Sequence, residues 1–219
     1  MQKQPAPRTV ALAGATGLVG RVILQGLLAD PSVSSIHVLA RRQPSAPDSR
    51  VIWHVVDFAA LPQFPPIDEV YLALGTTIKV AGSQAAFRAV DFDANLAVAR
   101  AALAAGAVRC GLVSAMGASS KSRVFYSRVK GELEDALTQL PFRGLVIARP
   151  SLLLGDRQTL GQPERPLEKA FGAMDKIFGS LIPSNYRPIA ASQVAHALLK
   201  RTPEAEGRVI LLSGDMQPR

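Results

Sequence analysis

The chain reads as an α/β protein built on a doubly wound parallel sheet. Three observations predict this. Short apolar runs of strand length alternate with longer amphipathic runs of helix length over about 150 residues, the pattern of repeated strand-helix units. The first unit, TVALAGATGLVGRVILQGLL from Thr9 to Leu28, joins its two halves through Gly14, Gly17 and Gly20, three residues apart. Hydrophobic residues make up 48% of 219 positions, enough to bury the core of one domain of this kind.

Val10 to Ala13 is the first strand, apolar throughout, as suits a strand covered on both faces. Leu18, Val19, Val22, Ile23 and Leu27 then recur at helical spacing. A helix that starts directly after a buried strand points unpaired backbone N–H groups at whatever lies over the turn, and phosphate is the natural occupant. Gly14 serves the sharp turn, Gly17 lets an anionic group approach the main chain, and Gly20 lets the helix lie close to the sheet. The spacing is GxxGxxG rather than GxGxxG, and a tight turn alone is the plainer alternative.

Ile36 to Ala40 is the second strand, and Arg41-Arg42 follow about 20 residues beyond the glycine turn, where this architecture meets an adenosine ribose. An acidic residue there would suit a free 2′-hydroxyl. Two guanidinium groups suit a 2′-phosphate, so NADP is expected over NAD. Val51 to Val56 is a third strand ending at Asp57, which could accept from an adenine amino group or cap a turn. Glu69 to Leu74 is a fourth, stopping at Gly75-Thr76-Thr77 beside the expected cofactor cleft. Ser83 to Ala105 is one long helix closed by Gly106, and Val108 to Val113 is a strand that delivers Ser114 at its end. A helix from Val124 to Leu140 carries Tyr126 and Lys130; Leu145 to Ala148 is the sixth strand, running into Arg149-Pro150.

Beyond Pro150 the texture changes. Gly155 to Pro166 is expected as a mobile loop over the cleft, Leu167 to Phe178 as an amphipathic helix, Pro183 to Pro188 as turns, Ala191 to Lys200 as a helix and Arg208 to Leu212 as a last strand. With no repeat and no linker, the expectation is one domain, 1–219, with residues 1–7 a flexible leader and a small C-terminal substrate-side segment within 151–207.

Composition narrows the classes of function. Apolar runs fall short of the roughly 18 residues of a membrane span, and MQKQPAPR has no apolar stretch behind its charges, so neither a membrane anchor nor a secretory signal is expected. Cys110 is the only cysteine and sits among apolar residues, which reads as core and, with no internal disulfide to form, as a cytoplasmic protein. His37, His54 and His196 lack any metal-binding spacing, so no metal is expected. The net charge of +8 raises nucleic acid as a partner. The densest basic group, Lys121, Arg123, Arg128 and Lys130, has no interleaved stacking aromatics, which favours a solvated basic surface that attracts a phosphorylated cofactor.

Tyr126 and Lys130 lie four apart and share a helix face. A phenol, with an ordinary pKa of about 10, must ionise nearer neutrality to work as an acid-base group, and a shift of roughly 2 units costs about 2.7 kcal/mol. An ammonium about 4 Å away supplies about 4 kcal/mol at an effective dielectric of 20. Ser114 arrives on the same rim. The expected roles are Tyr126 as proton donor, Lys130 as electrostatic tuner and ribose ligand, and Ser114 as orienter of a carbonyl oxygen. About 0.1 accidental YxxxK pairs are expected in such a composition, so the placement after the fifth strand carries more weight than the match itself.

These residues resemble the short-chain dehydrogenase/reductase superfamily. The resemblance runs from Val10 to about Leu212 and rests on GATGLVG, VVD at Val55 to Asp57, VSA around Ser114, YSRVK at Tyr126 to Lys130 and RPSLLLG at Arg149 to Gly155. ALGTT at Ala73 to Thr77, YSRVKGELE and RPSLLLGDRQ are more narrowly similar to the atypical branch containing the Tat-interacting protein oxidoreductases. The resemblance implies a Rossmann fold and NADP(H) binding along Gly14, Thr16, Gly17, Leu18, Val19, Arg41, Arg42, Asp57, Leu74, Gly75, Thr76, Tyr126 and Lys130, with the backbone after Pro150 meeting the nicotinamide carboxamide. Asp91 and Asp93 stand where many extended members carry an asparagine motif, so no proton relay is placed there. The expected activity is NADPH-dependent reduction of a small carbonyl compound by a monomer or homodimer. The alternative is a non-catalytic NADP(H)-binding redox sensor that regulates a protein partner.

Overall fold

The structure, a computed structural model, describes residues 7–42, 48–154 and 183–217. The expected loop at 155–166, the expected helix at 167–178 and most of the expected leader lie outside the described residues.

Seven parallel strands form the central sheet: β1 (Arg8–Ala13), β2 (Val33–Ala40), β3 (Val51–Val55), β4 (Glu69–Leu72), β5 (Arg109–Val113), β6 (Gly144–Arg149) and, after two short strands, β9 (Gly207–Leu212). Their order across the sheet is β3-β2-β1-β4-β5-β6-β9, and β7 (Leu153–Leu154) pairs separately with β8 (Ile189–Ala190). The order reverses at β1, which lies between β2 and β4. In a sheet of this order the crevice that takes a ligand lies above that reversal, at the carboxyl ends of the strands.

Helices cover both faces. On β1, Val10 and Leu12 point to the face covered by α1 (Leu18–Ala29) and α6 (Ala191–Arg201), where Ile23, Leu27, Val194 and Leu198 are fully buried. Ala11 and Ala13 point to the other face, with Val98, Ala99 and Ala102 of α4 (Asn95–Ala104) and Leu133 and Leu137 of α5 (Phe125–Thr138). Each fully buried aliphatic side chain contributes about 1.5–3 kcal/mol. Cys110 lies in this second core, and burial pushes its thiol well above the usual range, so it is an inert packing residue.

The long helix expected at Ser83 to Ala105 is not one regular rod. The short helix α2 (Ile78–Ala81) precedes it, and the Ser83 hydroxyl caps α3 (Gln84–Arg88) by accepting from Ala86 N–H. Ala89–Ala94 then forms a π-helical turn before α4, and Gly106 closes the rod with φ +100°. At the amino ends of the strands, the Arg8 guanidinium holds Glu69 at 2.7 and 2.8 Å and also meets Asp30, tying β1 to β4 and to the turn after α1. That end of the sheet is stapled shut, and the opposite end is left to the crevice.

Candidate functional site

The glycine turn is built as its spacing requires. Gly14 has φ +91°, and a Cβ there would stand 2.4 Å from the Ala73 backbone at the end of β4. A Cβ on Gly20 would stand 2.0 Å from the Gly14 carbonyl oxygen, so only a glycine lets α1 pack down on the turn. Gly17 is the N-cap of α1, with no side-chain cap and no acidic residue in the first turn. The first turn of α1, with the N–H groups of Leu18 and Val19, thus carries no acidic side chain of its own, and Thr16 is exposed at the lip. This cradle fits a dinucleotide phosphate.

Arg41 and Arg42 are both exposed just past the end of β2, alongside the turn. Asp57 is exposed two residues past β3, and its carboxylate accepts from Ala59 N–H at 2.9 Å. That is the local turn use left open as its alternative.

On the other side of β1, Leu74, Gly75 and Thr76 follow β4 and converge on one carboxylate. Thr76 N–H donates to Asp91 Oδ2 at 2.8 Å, and Lys130 Nζ stands 2.7 Å from Asp91 Oδ1. A Cβ on Gly75 would lie 3.6 Å from that oxygen and 3.9 Å from the ammonium. Both charged groups are buried, Asp91 at 1% and Lys130 at 5% exposure. Burial pulls the ammonium's pKa down, but Asp91, with Tyr126 and Glu134, outweighs this and holds it above the ordinary lysine value. Asp91 comes from the π-helical turn, where Asn95 Nδ2 donates to the carbonyls of Leu74, Val90 and Asp91 at 3.2, 3.3 and 3.1 Å. The wide turn is thus tied directly to the end of β4.

Tyr126 sits in the first turn of α5, 37% exposed, its ring against Phe87 with centroids 5.6 Å apart. Gly131 brings α5 close: a Cβ there would stand 2.1 Å from the Ser119 backbone, so the helix lies directly on the loop that follows β5. Lys130, Gly75 and Thr76 therefore meet at Asp91, and Tyr126 stands one turn before Lys130 on the same helix, close enough for its charge to act on the ammonium. The expected basic group is not brought together. Lys121 and Arg123 are exposed, Arg128 donates to the Ser122 carbonyl at 3.1 Å, and Lys130 turns inward to Asp91.

Ser114 is placed differently from its expected role. Its hydroxyl is buried and donates to Glu134 Oε1 at 2.5 Å, beneath α5. Glu134 in turn accepts from Arg149 Nε at 3.0 and 3.2 Å, and Arg208 Nη2 lies 3.5 Å from it. The hydrogen bond to Glu134 leads in raising the Arg149 pKa above its ordinary value. With its proton committed to a carboxylate, Ser114 as placed has none to give a carbonyl oxygen. Pro150 is buried and its carbonyl accepts from Met116 N–H at 2.8 Å; Ser151 N–H, next along, donates to Ser213 Oγ at 2.7 Å.

Sequence reasoning gave no role to Glu134 or Arg149, and set Asp91 aside. Glu134 was within reach, since it lies four residues past Lys130 on the same buried helix face. Nothing local marks Asp91 as the partner of a lysine 39 residues away.

Among the described residues no helix is long and apolar enough to cross a membrane, and no three ligating side chains gather as a metal site. No family model matches the chain. Among solved structures it is similar to MoeE5 in complex with UDP-glucose and NAD, with TM-score 0.70 and 14% identity over 93% of this chain and 75% of that one. It is also similar to an oxidoreductase of the short chain dehydrogenase/reductase family from Burkholderia thailandensis, with TM-score 0.64 and 17% identity over 97% and 94% of the two chains. The chain thus has a Rossmann-type α/β fold. Among curated proteins, it is 38% identical over 183 residues to "Protein fmp52, mitochondrial" of Emericella nidulans, covering 78% of each chain. It is 33% identical over 217 residues to the protein of that name in Candida albicans, covering 93% of this chain and 94% of that one.

Those names correct the expected cytoplasmic location, since the relatives are mitochondrial. The expectation rested on a single cysteine, which rules out internal disulfides but does not tell one reducing compartment from another. With relatives at this identity matched over most of their length, the chain belongs to the FMP52 family.

Proposed function

We propose that the protein is a nicotinamide-dinucleotide-dependent oxidoreductase that reduces a carbonyl compound, with NADP(H) as its cofactor. The observation that carries this is the meeting, at the carboxyl end of a parallel sheet, of an open helix N-terminus behind Gly17 with the Tyr126 and Lys130 pair behind Gly75 and Thr76. The bound dinucleotide would supply a hydride from the nicotinamide ring to the carbonyl carbon. Tyr126 gives its phenolic proton to the carbonyl oxygen, so that the carbonyl is reduced to an alcohol. Lys130 holds the ribose side of the site, behind Gly75.

Gly14, Thr16, Gly17, Leu18 and Val19 would line the pyrophosphate, and Leu74 to Thr76 the path toward the nicotinamide. Arg41 and Arg42, exposed beyond β2, support a 2′-phosphate and hence NADP, although MoeE5 is described with NAD. Asp57 would face the adenine end with the carboxylate oxygen that Ala59 N–H does not take. Ser114 we read as the support of Glu134 rather than as the group that orients the carbonyl. That same commitment of Ser114 is what favours the second reading, a cofactor-binding redox sensor, because it removes one expected donor from the reaction.

The test follows NADPH absorbance over a panel of aldehydes, ketones and quinones, together with fluorescence titration of NADPH. Turnover that is abolished by Tyr126→Phe, with cofactor affinity kept within about twofold (under about 0.5 kcal/mol), supports the oxidoreductase. Turnover retained in Tyr126→Phe refutes the assignment. Binding without oxidation of cofactor on any of the panel favours the sensor.

A further inference from the structure

The buried Asp91 carboxylate is spent on two groups that the reading above places at the cofactor: the Thr76 N–H and the Lys130 ammonium. A lysine beside a tyrosine assists ionisation of the phenol only to the extent that its charge is felt there. Here an opposite charge stands 2.7 Å from it, with both members almost entirely removed from water. We propose that Asp91 is a positioning residue that fixes Lys130 behind Gly75 and offsets its charge at Tyr126, setting the site to give a proton rather than take one.

The geometry carries this in three steps. A regular helix over 89–94 would turn residue 91 to a different azimuth; the π-helical turn, pinned through Asn95 to the Leu74 carbonyl, aims it at the lysine. The two carboxylate oxygens are then divided, one to Thr76 and one to Lys130, so that moving either partner disturbs the other. The other charges on the surrounding elements are engaged with one another. Glu134, on α5 itself, is a second carboxylate, answered by Arg149 of β6 and Arg208 of β9. Arg88 of α3 is engaged by Glu132 on the outer side of α5, where Arg128 also stands 4.0 Å from Glu132. An uncancelled ammonium would make the phenol a readier base; the cancelled one leaves it suited to the reductive direction.

This inference rests on the proposed function for its meaning, but its test does not depend on a substrate or a cofactor. NMR of ring-labelled tyrosine follows ionisation of Tyr126 against pH in the cofactor-free protein, with the resonance assigned by its loss in Tyr126→Phe. Asp91→Asn should move the titration midpoint down by about one pH unit, and Lys130→Met should move it up. A midpoint that stays or rises in Asp91→Asn overturns the proposal. If Asp91→Asn does not fold, the double variant Asp91→Asn/Lys130→Met leaves no buried charge unpaired and is compared with the parent. A midpoint within about half a unit of the parent supports cancellation, and a rise of about a full unit shows that the lysine acted unopposed and overturns it. Failure of the proposed function is read separately, as a parent protein that does not bind NADPH.

Discussion

Gly17→Ala separates a cofactor role of the glycine turn from a purely structural one. Gly17 has φ −83° and ψ 170°, angles open to any residue. Its added Cβ would meet the Gly14 carbonyl oxygen at 3.3 Å and the Ala73 carbonyl oxygen at 4.0 Å, and otherwise open space. The poorer N-cap costs about 1 kcal/mol, and the loss of unfolded-state freedom returns about 0.4–1 kcal/mol. The net change is under about 1 kcal/mol, or less than about 4 °C in Tm for a chain of this size. The same methyl group stands where a pyrophosphate would approach the N–H groups of α1. Loss of two charge-assisted hydrogen bonds at about 1.5 kcal/mol each is about 3 kcal/mol, or roughly 100-fold in Kd. Thermal melting and NADPH fluorescence titration measure the two quantities on one sample. Gly20→Ala is the contrasting control, because its Cβ overlaps the turn and must unseat the helix. Parental NADPH affinity in Gly17→Ala at unchanged Tm would refute the placement of the nucleotide over this turn.

Three other outcomes follow from the geometry. Arg41→Asp combined with Arg42→Ala should move the ratio of NADPH to NADH affinity at least tenfold toward NADH (about 1.4 kcal/mol); an unchanged ratio in paired titrations removes the argument for the 2′-phosphate. His37 Nδ1 and His54 Nε2 are 2.9 Å apart between β2 and β3, and desolvation, joined at His37 by the charge of His54, lowers both pKa values from 6.5. The unfolded chain then binds more protons than the folded one, so stability is complete above about pH 6.5 and falls as the pH drops below it. Melting curves from pH 8 to 5 should show that fall, and His54→Asn should flatten it. Glu134→Gln leaves Arg149 without its carboxylate in a site closed from most water, and should cost about 3 kcal/mol, seen as a Tm about 6–12 °C lower.

Much of the architecture was legible because it is written in local patterns. The glycine turn, the apolar strands and the helix faces are each specified within about 20 residues, and the structure has them with ends moved by a few positions, as at β2, which starts at Val33 rather than Ile36. The site was legible in part. Tyr126 and Lys130 share a helix face by spacing alone, whereas the direction of the Ser114 hydroxyl depends on Glu134, 20 residues further on. The end of a strand does not say whether its side chain faces the crevice or the underside of the next helix. Asp57 shows the same limit from the other side, since an acidic residue after a strand serves a turn as readily as a ligand. The π-helical turn left no trace in the apolar periodicity, because Phe87, Ala94, Leu96 and Val98 fit a broad helical stripe with or without one extra residue.

That extra residue makes one rod serve two directions. Upstream of it, Phe87 meets the rings of Phe125 and Tyr126; downstream, Val98, Ala99 and Ala102 pack into the sheet. Each residue of a regular helix advances the azimuth by about 100°. Deleting one residue between 89 and 94 would straighten the rod and force a choice between the aromatic lip of the crevice and the floor beneath it. Homologous sequences that align here without a gap inherit both orientations together, and a one-residue deletion would mark a member whose crevice is built on another plan.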